Sequence, residues 1–362
     1  MLEKLEKTTD IFEKFTKLNV VIVGDVMIDR YWHGKVTRIS PEAPVPVVEL
    51  QRTEDRLGGA ANVALNIAAL GATPYLFSAI GADTEGGDFL RLMTNNNLST
   101  LGLHQINDRP TTVKTRIMAG TQQMLRVDNE VTTDIDGANR LEFVAKLSAF
   151  LAETKTDVLI FQDYNKGVLT ADTIKDVMAE AQKYGIPTTV DPKRHNFLAY
   201  EGATLFKPNL KEIRDAVDFD VKPNLDSLLY ATAFLHTRLG NRLTMITLSE
   251  KGLFLGETLL PKTGMAGTEV TEILEITETS LRGTKQEGGI FPTQTRHISD
   301  VSGAGDTVIS VASLCLAAKT DNRTLAVLSN LAGSQVCELA GVVPVNREQL
   351  KAEFLTLNAL KS

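Results

Sequence analysis

The sequence predicts an α/β protein with a doubly wound, mostly parallel sheet flanked by helices, and three observations carry that expectation. Short β-branched runs recur along the chain: NVVIVGD at 19–25, YLFSAIG at 75–81, DVLIFQD at 157–163, IPTTVDP at 186–192 and LTMITLS at 243–249. Helical patterns separate them, notably LEFVAKLSAFLAE and ADTIKDVMAEAQKYG. Several runs end in Gly, Asp or Ser, which places polar residues at the carboxyl end of a buried strand. Strand–helix alternation gives a parallel sheet, and ligands of open α/β sheets sit beyond that end of the strands.

The elements follow in order. Leu2, Leu5, Phe12 and Phe15 recur at helical spacing among Lys and Glu, so residues 2–18 are expected to form an amphipathic leading helix. Residues 30–50 and 109–128 break the alternation. Both are strand-like but too polar for a central strand, and they are expected to pair as a small antiparallel lid able to cover a site or meet a second subunit. The stretch 256–295, with its acidic EVTEILEITETS, reads as an elaborated hairpin without assigned chemistry. No repeat or low-complexity linker divides the 362 residues, so one domain with a small lid is expected over 1–362.

Composition excludes several function classes. With 38 Lys and Arg against 45 Asp and Glu the net charge is −7, which disfavours a nucleic-acid backbone or an anionic membrane as partner. An anion must therefore be met by a local cluster. The two cysteines, Cys315 and Cys337, offer neither a disulfide framework nor zinc spacing, and a reducing cytoplasm is the expected compartment. The charged start MLEKLEKTTDIFEKF lacks the apolar heart of a signal peptide, and no run is long enough to span a bilayer.

The most specific segment is DVSGAGDTVISVASLCLAA from Asp300. Gly303, Ala304 and Gly305 stand directly before a helical pattern, where small residues let the chain turn and aim free N–H groups at an anion. Asp306 then falls at the helix start, facing the same point and able to take a proton from an attacking hydroxyl. A plain helix cap explains the same residues. In GGAANVALNIAALG at 58–71, Gly59 and Asn62 likewise read as a helix entry and its cap, or as part of a site. No GxxxxGK[ST] phosphate loop occurs, and no GxGxxG follows the first strand, which weakens a nicotinamide dehydrogenase.

Taken in order, GDVMID, GGAANV, KPNLKE and DVSGAGD resemble the signatures of the ribokinase-like (PfkB) carbohydrate kinases, over roughly residues 19–345. The strings RISPEAPVPV, QQMLRVD, DYNKG and DPK resemble the subgroup of that family that acts on heptose 7-phosphate. In many members of that subgroup the kinase is fused to a nucleotidyltransferase domain with an HxGH motif. The five histidines here never take that spacing, so a kinase without that domain is expected.

The resemblance implies roles. Asp306 is the expected base, with N–H groups from Gly303 to Asp306 as the anion hole. Asn209 and Glu212 match an NxxE motif that organises Mg²⁺ through water, although NLKE is also a capping box. Asp25, Asp29, Gly59 and Asn62 are expected to hold sugar hydroxyls, with Asp163 nearby; Arg30 or Arg38 is the bland partner for Asp29. The second lid segment offers Arg109, Lys114, Arg116 and Arg126 for the sugar's own phosphate, joined by Lys166 and Lys193. Thr247, Ser249 and Gly252 in TLSEKG, with Asn330 and Gly333, are expected on the ATP side. Asp300 and Ser302 mark a site for a monovalent cation such as K⁺.

The expected activity is ATP- and Mg²⁺-dependent phosphorylation of the anomeric hydroxyl of heptose 7-phosphate, by a homodimer paired through its lid. The rivals are a kinase for another sugar or sugar phosphate and a non-catalytic sugar-binding module; Asp306 and NLKE speak against the module. The 256–295 stretch and Arg194-His195 depart most from the family pattern.

Overall fold

The computed structural model describes residues 10–259, 285–293, 298–339 and 341–360. The chain opens with helix α1 (10–15), then β1 (Asn19–Gly24), β2 (Val26–Ile39), β3 (Pro46–Gly59), α2 (Ala60–Ala69), β4 (Thr73–Gly81), α3 (Thr84–Asn95), β5 (Leu103–Ile106), β6 (Val113–Ala119) and β7 (Gln122–Asn129). It continues through α4 (Gly137–Glu153), β8 (Val158–Gln162), α5 (Ala171–Lys183), β9 (Thr188–Asp191), β10 (Leu205–Phe206), α6 (Leu210–Ala216), α7 (Leu225–Leu239) and β11 (Leu243–Thr247). The last elements are β12 (Leu253–Leu259), β13 (Lys285–Phe291), α8 (Ala304–Ala317), α9 (Asn322–Val336) and α10 (Arg347–Leu360).

Nine strands form the main sheet in the order β13-β12-β11-β10-β9-β8-β1-β4-β5, parallel from β11 to β5 and antiparallel at β12 and β13. Alternate residues of the central strands feed two cores. Val20 and Ile22 of β1, with Val158 and Ile160 of β8, join the cluster under α2, α8 and α9. Val21 and Val23, with Leu159 and Phe161, join the cluster under α4, α5 and α7. Each such side chain contributes about 1.5–3 kcal/mol by leaving water. Phe12 and Phe15 of α1 are buried, as the leading-helix pattern requires, while Leu2 and Leu5 lie outside the described residues.

Strand order reverses at β1, which has β4 on one side and β8 on the other. Such a switch point opens a crevice beyond the strand ends. The second sheet, in the order β3-β2-β6-β7, rises from that crevice. Each lid segment is an antiparallel hairpin, and the two hairpins join through a parallel pairing of β2 with β6. The lid is longer than the polar composition suggests, because β2 begins at Val26 and β3 runs to Gly59. Of the 256–295 hairpin, β12 and β13 pair as expected, and EVTEILEITETS lies outside the described residues.

Candidate active site

The start of α8 is shaped by Gly303, which caps the helix in the left-handed region at φ 79. A side chain there meets two obstacles: the backbone conformation itself, and the Asn62 amide nitrogen 2.8 Å from where a Cβ would stand. Gly59, also at positive φ (61) but with ψ −135, leads into α2, with the Asp25 carbonyl oxygen 2.5 Å from a Cβ position. The two glycine turns bring α2 and α8 together so that Asn62 reaches across to Asp306.

Asp306 does not cap the helix, which disposes of the bland reading for that residue. Its Oδ2 accepts from the Asn62 amide at 2.8 Å, and its Oδ1 accepts from Gln162 Nε2 at 3.1 Å and from the Tyr164 hydroxyl at 2.6 Å. Only 4% of Asp306 is exposed. Burial pushes its pKa up to about 6; the Asn62 and Tyr164 hydrogen bonds pull against that, while Asp191 adds to it. Asn62 is no helix cap either: its oxygens receive the Asn66 amide, whose own oxygen accepts from Thr307 and Val345. The first-turn N–H groups of a helix have no intrahelical acceptor. Here Ala304 N–H finds the Val301 carbonyl at 3.3 Å, which takes it out of the expected set of anion-binding N–H groups.

Three neighbouring strands deliver the opposite wall. β8 ends in Gln162, β9 ends in Asp191, and Lys207 follows β10. Asp191 Oδ2 accepts from Gln162 at 3.2 Å and from the buried Lys207 ammonium at 2.9 Å. Asp191 Oδ2 and Lys207 Nζ each lie 3.7 Å from the Cβ position of Gly305. Gln162, Tyr164, Asp191 and Lys207 were not singled out by sequence reasoning. The available signal was position: all four sit at carboxyl ends of parallel strands, and three lie inside DYNKG, DPK and KPNLKE.

On one side of α8 a cavity of about 540 Å³ opens. Thr247, Ser249, Gly252, Asn330 and Gly333, the residues expected on the ATP side, all line it together with Ala304 and Gly305. Asn330 donates to the carbonyls of Phe291 and Pro292, and Gly333 lets α9 approach Val308 of α8. Asn209 and Glu212 form a complete capping box on α6, and Glu212 also pairs with Lys193. The capping-box reading of NLKE therefore holds, beside Thr247, which bridges to Asn209.

The sugar-side expectations divide. Asp25 is buried, and its carboxylate accepts from the N–H groups of Tyr164, Lys166 and Val168, so it anchors the loop after β8. Burial raises its pKa against those three bonds. Asp163 accepts from Tyr200, and burial, with the charge of Asp25, lifts it to about 6. Asp29 stands on lid strand β2, not at the end of β1, and pairs with Arg116 at 2.5 Å; Arg30 turns instead to Asp55 and Asp88. Lys114 and Lys166 converge on the Glu130 carboxylate at 2.8 and 2.7 Å. Arg126 lies on the exposed strand β7, held by Asp128. Arg109 donates to the carbonyls of Thr133 and Lys166. Lys193 belongs with Glu212 and Asp191 rather than with the lid cations; burial works against its charge, but those two carboxylates outweigh it and raise its pKa. Asp300 accepts from the N–H groups of Ser302 and Gly341, which clamps the loop before Gly303.

The profile of the pfkB family of carbohydrate kinases matches residues 17–347. The chain is 37% identical over 337 residues to the bifunctional protein HldE of Methylobacillus flagellatus, covering 92% of this chain and 63% of that one. It is 36% identical to HldE of Citrifermentans bemidjiense, covering 94% and 64%. It thus spans slightly under two thirds of the length of these curated relatives. Among solved structures, phosphofructokinase-2 from Escherichia coli in complex with potassium aligns over 94% of this chain and 99% of its own, with a TM-score of 0.70 at 16% identity. Arabidopsis thaliana ribokinase complexed with ribose and ATP aligns over 93% and 98%, with a TM-score of 0.63 at 15% identity. These likenesses, with the family match along nearly the whole described core, make the chain a member of the pfkB family of carbohydrate kinases, phosphotransferases acting on a sugar hydroxyl, on a ribokinase-like fold.

Proposed function

We propose that this chain transfers the γ-phosphoryl group of ATP to the anomeric O1 of D-glycero-D-manno-heptose 7-phosphate, giving the 1,7-bisphosphate and ADP on the route to ADP-heptose and the lipopolysaccharide core. The observation that carries the reading is the position of Asp306 between two compartments. Ala304 and Gly305 line the cavity, while the next side chain turns its carboxylate toward Asn62 and Tyr164. The RISPEAPVPV string supports heptose 7-phosphate as the acceptor.

The cavity suits a nucleoside: about 540 Å³, with apolar walls from Leu253, Ile298, Val301 and Val308 and polar groups at Thr247, Ser334 and Asn330. The α8 start and Lys207 supply positive charge toward a phosphoryl group. Asn209 and Glu212 fit Mg²⁺ through water, since their side-chain oxygens already serve the capping box and Lys193. Bound there, Mg²⁺ neutralises charge on phosphate oxygens. Asp306 takes the proton of the O1 hydroxyl as that oxygen meets phosphorus, and the N–H groups of Gly305 and Asp306 steady the developing charge. Lys114 and Lys166 anchor the 7-phosphate by exchanging Glu130 for it, and Asp29, Asn62 and Arg116 face the sugar. A K⁺ ion beside Asp300 and Ser302 belongs to the same proposal and is checked by comparing K⁺ with Na⁺.

The partner is proposed to be a second copy meeting the lid. The β2–β6–β7 register places Trp32, Ile117 and Leu125 in one row and Leu125 and Val127 on one face, and Trp32, Leu125 and Val127 are exposed. Among the described residues no helix is long and apolar enough to cross a membrane, and a cytoplasmic setting is proposed from the need for ATP and the unpaired Cys315 and Cys337. Purified protein with Mg-ATP and heptose 7-phosphate should yield the bisphosphate by phosphorus NMR. Turnover of ribose or fructose 6-phosphate with none of heptose 7-phosphate would overturn the acceptor.

A further inference from the structure

The three donors that hold Asp306 are not equivalent. Asn62, in the first turn of α2, and Gln162, at the end of β8, are buried and belong to regular elements. Tyr164 is partly exposed and stands on the loop after β8, next to Asn165 in the left-handed region at φ 52. Its main-chain N–H is tied to Asp25 at 2.9 Å, so its backbone is anchored while its side chain reaches back to the base. Burial of the hydroxyl end and the nearby charge of Asp306 push the phenol pKa well above 10, so the phenol acts as a donor to Asp306 and never as its competitor for a proton. The Lys193 ammonium lies 5.6 Å from the centre of the Tyr164 ring and is itself paired with Glu212. The ring is therefore held from the NLKE side by a cation.

A base that must accept a proton from a substrate hydroxyl needs an open lone pair on the side from which that hydroxyl arrives. Of the three donors only Tyr164 offers an O–H group, the same kind of donor as the acceptor alcohol, and only Tyr164 belongs to a partly exposed residue on a loop. We propose that Tyr164 is a positioning residue that caps the base: its hydroxyl occupies Asp306 Oδ1 while the acceptor is absent and yields that place to the sugar hydroxyl when the acceptor binds. The inference rests on the reading of Asp306 as the base. Its consequence concerns water. With the cap in place a water molecule cannot take the acceptor's position. Without it, water oxygen attacks the γ-phosphorus, Asp306 takes the water proton, and the bond to the bridging oxygen breaks with its electron pair leaving on ADP.

The test is Tyr164→Phe, which deletes one oxygen and keeps the ring under Lys193. ATP hydrolysis without any sugar is expected to rise about tenfold, while sugar phosphorylation changes less. The acid limb of kcat/KM is expected to move to higher pH by about one pH unit, because the carboxylate loses a donor to its charged form. Asp191, Lys207 and Lys193 also face Asp306 and are unchanged in this variant. Loss of the hydrogen bond alone moves the acid limb, so the sugar-free hydrolysis decides: if it is unchanged, the cap is overturned. Wild-type protein gives a readout that needs no variant to fold and no ATP: the ring-carbon NMR signal of Tyr164, labelled at Cζ, is expected to shift on adding the acceptor sugar phosphate, and a fixed signal overturns the proposal. Asp306→Asn separates the two levels. If it retains phosphorylation, the base reading fails and the cap with it; if it is inactive and Tyr164→Phe gains no hydrolysis, the cap alone fails.

Discussion

At the start of α8 a carboxylate is held by three uncharged donors, Asn62, Gln162 and Tyr164, inside the protein. Across the crevice, on the lid, Lys114, Arg116 and Arg126 are each held by carboxylates: Glu130 and Asp128, Asp29, and Asp128. The difference is chemical. Neutral donors fix a group in place without cancelling its charge, and burial then makes its proton affinity adjustable. Ion pairs on a partly exposed sheet offset charge, and where the side chains are exposed they hold a cation loosely enough to be exchanged for the anion of a ligand. On the proposed function, the first region would move a proton and the second would trade one anion for another.

Four experiments break or sharpen that contrast. The largest effect is expected from Asp306→Asn, which keeps the shape and removes the proton acceptor; kcat should fall about 10²–10⁴-fold in a coupled ADP-release assay, with the sugar KM little changed. A loss of only a few-fold would end the contrast.

The pH profile comes next. Asp306 must be ionised to act, and its pKa lies at about 6, so kcat/KM should fall about tenfold per pH unit below that value. The sign for stability is opposite. Asp163 and Asp306 both bind a proton more tightly folded than unfolded. The stability they contribute is complete below about pH 4 and is lost as pH rises through about 6. Acid inactivation near pH 6 should therefore appear in rate measurements without a drop in Tm from these two groups.

Gly303→Ala should cost about 1–2 kcal/mol of stability in urea unfolding from its left-handed backbone alone. It should also lower kcat by roughly tenfold or more, since the new methyl displaces the Asn62 amide that holds Asp306.

The smallest effects belong to the lid. Lys166→Ala removes a cation that is largely enclosed and shared with Lys114 at Glu130. It should raise KM for the sugar phosphate about tenfold with kcat nearly unchanged, the equivalent of about 1.4 kcal/mol. Arg126, with its side chain 51% exposed and bound to Asp128, should change KM by about twofold or less as Ala. Equal effects at Lys166 and Arg126 would show that the lid face works as a diffuse field rather than a pair of lysines.

How much of this was legible in advance follows the range of the interactions. DVSGAGD could be read because the glycine turn, the helix start and the acid lie within seven residues, and the capping box of NLKE likewise spans four. The five residues expected on the ATP side could be grouped by resemblance, and one cavity gathers all five. The partner of Asp29 could not be read, because Arg116 is 87 positions away and meets it only through the β2–β6 pairing. In sequence Lys193 reads with the lid cations because charge is visible there and direction is not; β9 ends so that it faces Glu212.

The amino-acid sequence by itself determined the parallel sheet, the polar lid and the helix start that carries Asp306, because periodicity, glycine placement and capping act over a few residues. Tertiary structure decided what the acid touches. Asn62, Gln162 and Tyr164 reach Asp306 across 244, 144 and 142 residues, and only the packing of α2, β8 and α8 sets those distances. The same packing makes Asp25 the anchor of the loop that presents Tyr164. A buried carboxylate takes its properties from its neighbours, and neighbours distant in sequence are chosen by the fold.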